Sequence, residues 1–232
     1  MKAVKSRITS AEQIKKIAGA LEIVALTRLQ RMQQDTVASR DYFEKIRDLL
    51  FDTAGSINFQ SHPLLEQRKA EKAIGVVAIF SDKGLCGGFN ASVNNEFLRL
   101  ASRYKDKNKK IEVIGLKGGR YFKHRKDCEI LNTHASSSEQ TAKEGPTEIG
   151  RNLIERFLKG DIDEILLVYS RFRLHLLGEM KVIKLLPLVI ENSPQSKTAK
   201  QGQASHSRDY IYEPGAYEIF DNLIREYIIN QI

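Results

Sequence analysis

No proline precedes Pro63, and Gly19 is the only glycine before Gly55. These two residue types are the strongest helix breakers, so the opening third of the chain offers a helix nowhere to stop. Ile14, Ile17, Leu21 and Val24 recur at spacings of three and four. The stripe drifts through Ala25, Leu29 and Met32 and resumes at Phe43, Ile46 and Leu50, the pattern of one helical face. Ser10 with Gln13, or Thr9 with Glu12, supplies a capping-box start. The pattern predicts one helix from about residue 10 to about residue 55, on the order of 65 Å long. A narrow apolar stripe of that length with charged flanks reads as one strand of a coiled coil, which needs a partner.

From about Lys72 the periodicity changes. AIGVVAIF, KIEVIGLKG, CEIL, EILLVYSRF and KVIKLLPLVI read as strands, with helices at 91–104, 119–124 and 147–158 between the earlier ones. Alternating strand and helix predicts an α/β layer with a largely parallel sheet. The last two strands have only a short connection around Leu177-Gly178 and so pair as an antiparallel hairpin. The polar stretches 132–145 and 192–208 read as mobile loops. Pro214-Gly215 opens a last helix whose apolar positions are Ile219, Phe220, Leu223, Ile224, Tyr227 and Ile228. Domains are expected at 1–58 (N-terminal coiled-coil helix), 72–191 (Rossmann-like α/β domain), 192–209 (flexible loop) and 210–232 (start of a C-terminal helix).

The formal net charge of +8 favours acidic partners. Cations concentrate at 103–110 and 117–126; the bland explanation is a solvated surface. No RNP aromatic pair or KH loop is present, which argues against nucleic acid. The longest apolar runs are a few residues, too short to span a bilayer. MKAVKSRITS has no apolar segment of the kind that directs export. Two cysteines make no disulfide framework, and a reducing compartment fits them.

The segment GVVAIFSDKGLCGGFN (75–90) has the strand, glycine turn and helix layout of a nucleotide-cradling loop. Its details depart from that motif. The turn lacks G-x-G-x-x-G, the second strand ends in Lys117 where a ribose-binding acid is needed, and no Walker pattern occurs. Lys117 beside a 2′-phosphate, in an NADP-binding enzyme, is the alternative it leaves open. The structural reading gives Gly84, Gly87 and Gly88 the task of positive φ and close packing in a tight turn. Cys86 reads as a small buried thiol rather than a nucleophile, with no histidine near it in sequence. The histidines 62, 124, 134, 175 and 206 show no metal-ligand spacing. No catalytic residue, metal site or cofactor emerges.

Ser81-Asp82-Lys83-Gly84-Leu85-Cys86-Gly87-Gly88, followed by Asn90, resembles the S-D-R/K-G-L-C-G-G-x-N signature of the γ subunit of F-type ATP synthases. ITSAEQIKKIAGALEIVALTRLQRMQ is similar to that family's N-terminal coiled-coil helix, with Arg28 where a lysine is usual. VIGLKGGRYFKHR, VYSRFRLHLLGEMKVIKLLPL and DYIYEPGAYEIFDNLIREYIINQI match further family segments in order.

The resemblance implies an α/β fold, a Rossmann-like sheet layer with helices, and a long N-terminal coiled-coil helix paired with a short C-terminal one. It implies a non-catalytic rotor that couples ion-driven rotation of a membrane ring to ATP synthesis on β subunits. The implied partners are the α, β and ε subunits and the c-ring, and the implied place is the cytoplasmic face of the inner membrane, as a peripheral subunit. Arg28 and Arg31 become candidate stator contacts, and Tyr210, Tyr212 and Glu213 match the segment placed near the ring. Family members continue for roughly fifty residues past the position of Ile232, so a truncated or atypical rotor is a further expectation. A stand-alone scaffold whose exposed helix recruits a partner is another.

Overall fold

The computed structural model describes residues 2–54, 61–68, 72–136, 139–173, 176–189 and 212–232. Residues 2–47 form one unit and 48–232 a second.

The first unit is helix throughout. Helix α1 runs Lys2–Ala54, about 80 Å at the usual rise. It therefore begins well before the predicted cap. Thr9 Oγ1 donates to the Lys5 carbonyl at 3.1 Å, so its hydroxyl lies inside the helix instead of starting it. Thr27, Thr36 and Ser39 bond back four residues in the same way, which lets hydroxyl residues sit in a helix interior. Nothing in Lys2–Ile8 resists helix, so the chain continues through the capping signal. From Ile14 to Met32 the stripe residues lie open, Ile14 67% exposed and Ile17 61%, whereas Ile46 is buried.

The second unit is built on a five-stranded sheet of order β3-β2-β1-β4-β5. Its strands are β1 (Ala73–Ile79), β2 (Asn108–Ile114), β3 (Glu129–His134), β4 (Glu164–Arg173) and β5 (Leu176–Leu186). β1 pairs parallel with β2 and with β4, and β2 pairs parallel with β3. β5 runs antiparallel to β4. In central position, β1 is buried on both faces for all but its last residue, which accounts for its unbroken apolar run.

Helices cover both faces. Phe97 of α2 (Phe89–Arg103) and Phe122 of α3 (Leu116–Phe122) pack on Val76, Ala78, Ile111 and Val113. Their rings meet edge-on at 4.8 Å, a favoured aromatic geometry. On the opposite face, α4 (Glu139–Leu158) and α5 (Ala216–Ile229) share a core with Val77, Ile165 and Leu167. Leu50 and Ala54, from the last turn of α1, belong to that core with Phe220 and Ile224. The apolar face of α5 is thus spent inside this unit. At Gly150 a Cβ would come 2.6 Å from Ile229 Cγ1, so glycine permits the close approach of α4 and α5.

Two expectations are corrected. The polar stretch 132–145 is not a loop throughout: β3 extends to His134 and α4 begins at Glu139, with Pro146 inside it. Asn132 and His134 are polar because both reach the buried Glu112 on β2. Leu177-Gly178 is not the hairpin connection either. Both residues belong to β5, where Gly178 lies against Ser170 of β4. The expected loop 192–209 and Tyr210 fall outside the described residues. Among the described residues, no helix is long and apolar enough to cross a membrane.

Candidate functional site

Strand order reverses at β1: the chain proceeds to β2 and β3 on one side and returns through α4 to β4 on the other. In doubly wound sheets the crevice beyond the C-terminal ends of such strands is where ligands bind. The glycine-cysteine turn stands there, joining β1 to α2.

Its side chains are turned onto one another. Asn90 Oδ1 accepts from the Ser81 N–H at 3.0 Å. Asn90 Nδ2 donates to Ser81 Oγ at 2.8 Å and to Cys86 Sγ at 3.2 Å. Ser81 Oγ donates to the Lys83 carbonyl at 2.7 Å. Asp82 reaches across the sheet: Oδ1 accepts from the Leu116 N–H and Oδ2 from Ser136 Oγ, both at 2.9 Å. The Lys117 N–H donates to the Ser81 carbonyl at 3.0 Å. Further along, Phe80 N–H donates to Ile114 O and Gly115 N–H to His134 O. The ends of β1, β2 and β3 are therefore knotted together.

Glycine is demanded at fewer places in the turn than expected. Only Gly87 has positive φ (56°), while Gly84 and Gly88 have open space where a Cβ would go. The other left-handed residue is Leu85, at φ 62° and 95% exposed. The tight approach comes after β2. Gly115 has φ 101°, and a Cβ there would lie 2.1 Å from the Phe80 carbonyl oxygen.

This geometry works against the NADP reading. The N-terminus of α3, where Lys117 was to meet a phosphate, already carries the Asp82 carboxylate on the Leu116 N–H. A carboxylate satisfies the positive end of the helix and repels a second anion. At the start of α2, Asn90 is committed to Ser81 and Cys86, and Phe89 N–H donates to Cys86 O. Cys86 is half-buried rather than fully buried, with an amide and a hydroxyl as its partners.

Of the other predicted residues, Arg28 and Arg31 are exposed on α1, within the 2–47 unit. Tyr212 is half-buried and Glu213 exposed, just before α5.

Three polar clusters escaped sequence reasoning, because each pairs residues distant along the chain. His62 is buried; its Nδ1 accepts from the Leu64 N–H, which leaves Nε2 to donate to Asp221 Oδ1 at 3.1 Å. Burial pushes the Asp221 carboxyl up, but Arg225 and His62 outweigh it and hold it below the usual range. Asp163 accepts from the Lys72 and Ala73 N–H groups and from Arg68. Against the upward push of burial, these bonds depress its pKa. Glu112, 1% exposed, pairs through Oε1 with His134 and Asn132, and its Oε2 finds no partner among the described residues.

A family model described as ATP synthase matches residues 1–232. The ATP synthase gamma chain of Desulforamulus reducens is 34% identical over 97% of this chain and 75% of its own length. That of Laribacter hongkongensis is 31% identical over 98% of this chain and 77% of its own. The central stalk and c-ring structure of Tetrahymena thermophila mitochondrial ATP synthase contains a chain with the same fold. It aligns at a TM-score of 0.53 and 18% identity, covering 84% of this chain and 82% of that one. With a knotted turn in place of a ligand crevice, and a match along its whole length, this chain belongs to the ATP synthase gamma chain family.

Proposed function

We propose that the chain is the central-stalk rotor of an F-type ATP synthase, coupling ion-driven rotation to ATP synthesis without catalysing it. The observation that carries this reading is α1: fifty-three residues of helix whose apolar stripe lies exposed from Ile14 to Met32. A stripe of this kind needs a helical or cylindrical partner to bury it. The knotted turn supports the non-catalytic part, because the residues at the switch point are bonded to each other.

In this reading residues 1–58 act as shaft, 72–191 as foot and 210–232 as the root of a second shaft helix. The catalytic sites belong to β subunits. Arg28 and Arg31 face the α and β subunits, while Tyr212 and Glu213, with Tyr210, lie toward the ε subunit and the membrane ring. The subunit is peripheral, on the cytoplasmic face of the inner membrane. The signature residues 81–88 and Asn90 hold the foot rigid by closing its crevice. Co-purification with α and β subunits, followed by an ATP hydrolysis assay, tests this: an assembled, hydrolysing complex is expected, and a chain that never associates contradicts it.

A further inference from the structure

Crossover helices of a parallel sheet all end at the edge where the next strand begins. Here that brings together two basic segments that lie apart in sequence. β2 starts at Asn108 and β3 at Glu129, and the two strands pair side by side. Arg103 at the end of α2 and Lys105 and Lys107 in the loop precede β2, with Lys109 just inside the strand. The loop before β3 carries Lys123, Arg125 and Lys126. Only Asp106 and Asp127 oppose these seven cations within the two segments, in a chain of net charge +8.

Several of the seven have internal work. Lys109 is buried, with its ammonium on the Lys105 and Lys107 carbonyls. Arg125 is bonded to Asp127 and Tyr121, which takes up the Asp127 charge. Arg103 lies in the last turn of α2, where a cation suits the helix dipole. Lys105, Lys123 and Lys126 are different. All three are exposed, and none pairs with a carboxylate among the described residues.

We propose that this corner is a docking face for an anionic lipid headgroup layer. Its composition favours that surface over a protein. Protein interfaces are depleted of lysine and need a buried aromatic or apolar anchor at their centre. This corner offers independent lysines, and its tyrosines Tyr104 and Tyr121 are occupied by the cations beside them. Long flexible ammonium side chains suit a layer of headgroups with no fixed geometry, and such attraction falls off with salt.

Sedimentation of the full chain with phosphatidylcholine vesicles, with and without phosphatidylglycerol, tests the proposal and needs no other subunit, so it stands or falls apart from the rotor reading. Salt-sensitive binding only to the anionic vesicles is expected. The Lys105→Gln/Lys123→Gln/Lys126→Gln variant should lose about a hundredfold in apparent affinity. A charge-matched variant on α1, Lys5→Gln/Lys15→Gln/Lys16→Gln, should lose less than about threefold. Equal losses in both variants would show a non-specific charge effect and overturn the proposal. So would binding of polyglutamate or an oligonucleotide at this corner in preference to the vesicles.

Discussion

The two edges of the sheet use polar chemistry in opposite ways. At the C-terminal edge, Asn90 and Ser81 bond to each other, and Asp82 accepts from the Leu116 N–H at the start of α3 and from Ser136. At the N-terminal edge, Asp163 and Asp161 hold Arg68, Lys110 and Arg156, but Lys105, Lys123 and Lys126 project without a carboxylate partner among the described residues. In an α/β enzyme the free polar groups belong at the first edge. Here such groups stand at the second edge, while those at the first are bonded within the chain.

The comparison breaks most severely at Gly115. Replacing it with alanine forces a Cβ into the Phe80 carbonyl at a left-handed φ, and should cost about 3–5 kcal/mol by chemical denaturation. A cost near zero would mean that the strand ends are not held as tightly as described. His134→Ala belongs just below. It leaves the buried Glu112 carboxylate without its imidazole, for about 3 kcal/mol. Asn90→Ala removes the turn's central amide and strands the Ser81 N–H, at about 2 kcal/mol.

Acid sharpens the picture of the other edge. Asp161 is held below the usual carboxylate range by Lys110 and Arg156, and Asp163 is depressed by its own hydrogen bonds against burial. A depressed folded pKa contributes stability in full above the unfolded value. That contribution is lost as the pH falls below about 4. Unfolding titrations should show Asp163→Asn flattening this acid limb, and an unchanged limb would contradict the assignment. The smallest effect is at Gly84. Its open surroundings predict that Gly84→Ala changes stability by less than about 0.5 kcal/mol, in contrast to Gly115 on the same edge.

The alternation of strands and helices was legible because it rests on local apolar periodicity, and so was the long helix. The helix start was misread because a capping signal works only where helix is not already running; Thr9 simply bonds back to Lys5. The glycine-rich turn is located correctly and positive φ falls at Gly87 as expected, but Gly84 and Gly88 do not need it. Composition alone does not reveal that Leu85 takes the left-handed conformation beside Gly87. His62 with Asp221, and Glu112 with His134, could not be paired in advance. One pair is 159 residues apart and the other depends on a register shift between β2 and β3. Gly178 read as a turn because its close neighbour, Ser170, is on the facing strand.

The claim that this crevice is closed by the chain's own residues is tested most directly by calorimetric titration of the full chain with NADPH and with magnesium ATP. Closure predicts no heat of binding from either ligand. Saturable binding that Asn90→Ala or Lys117→Ala abolishes would contradict it and return the turn to service as a nucleotide site.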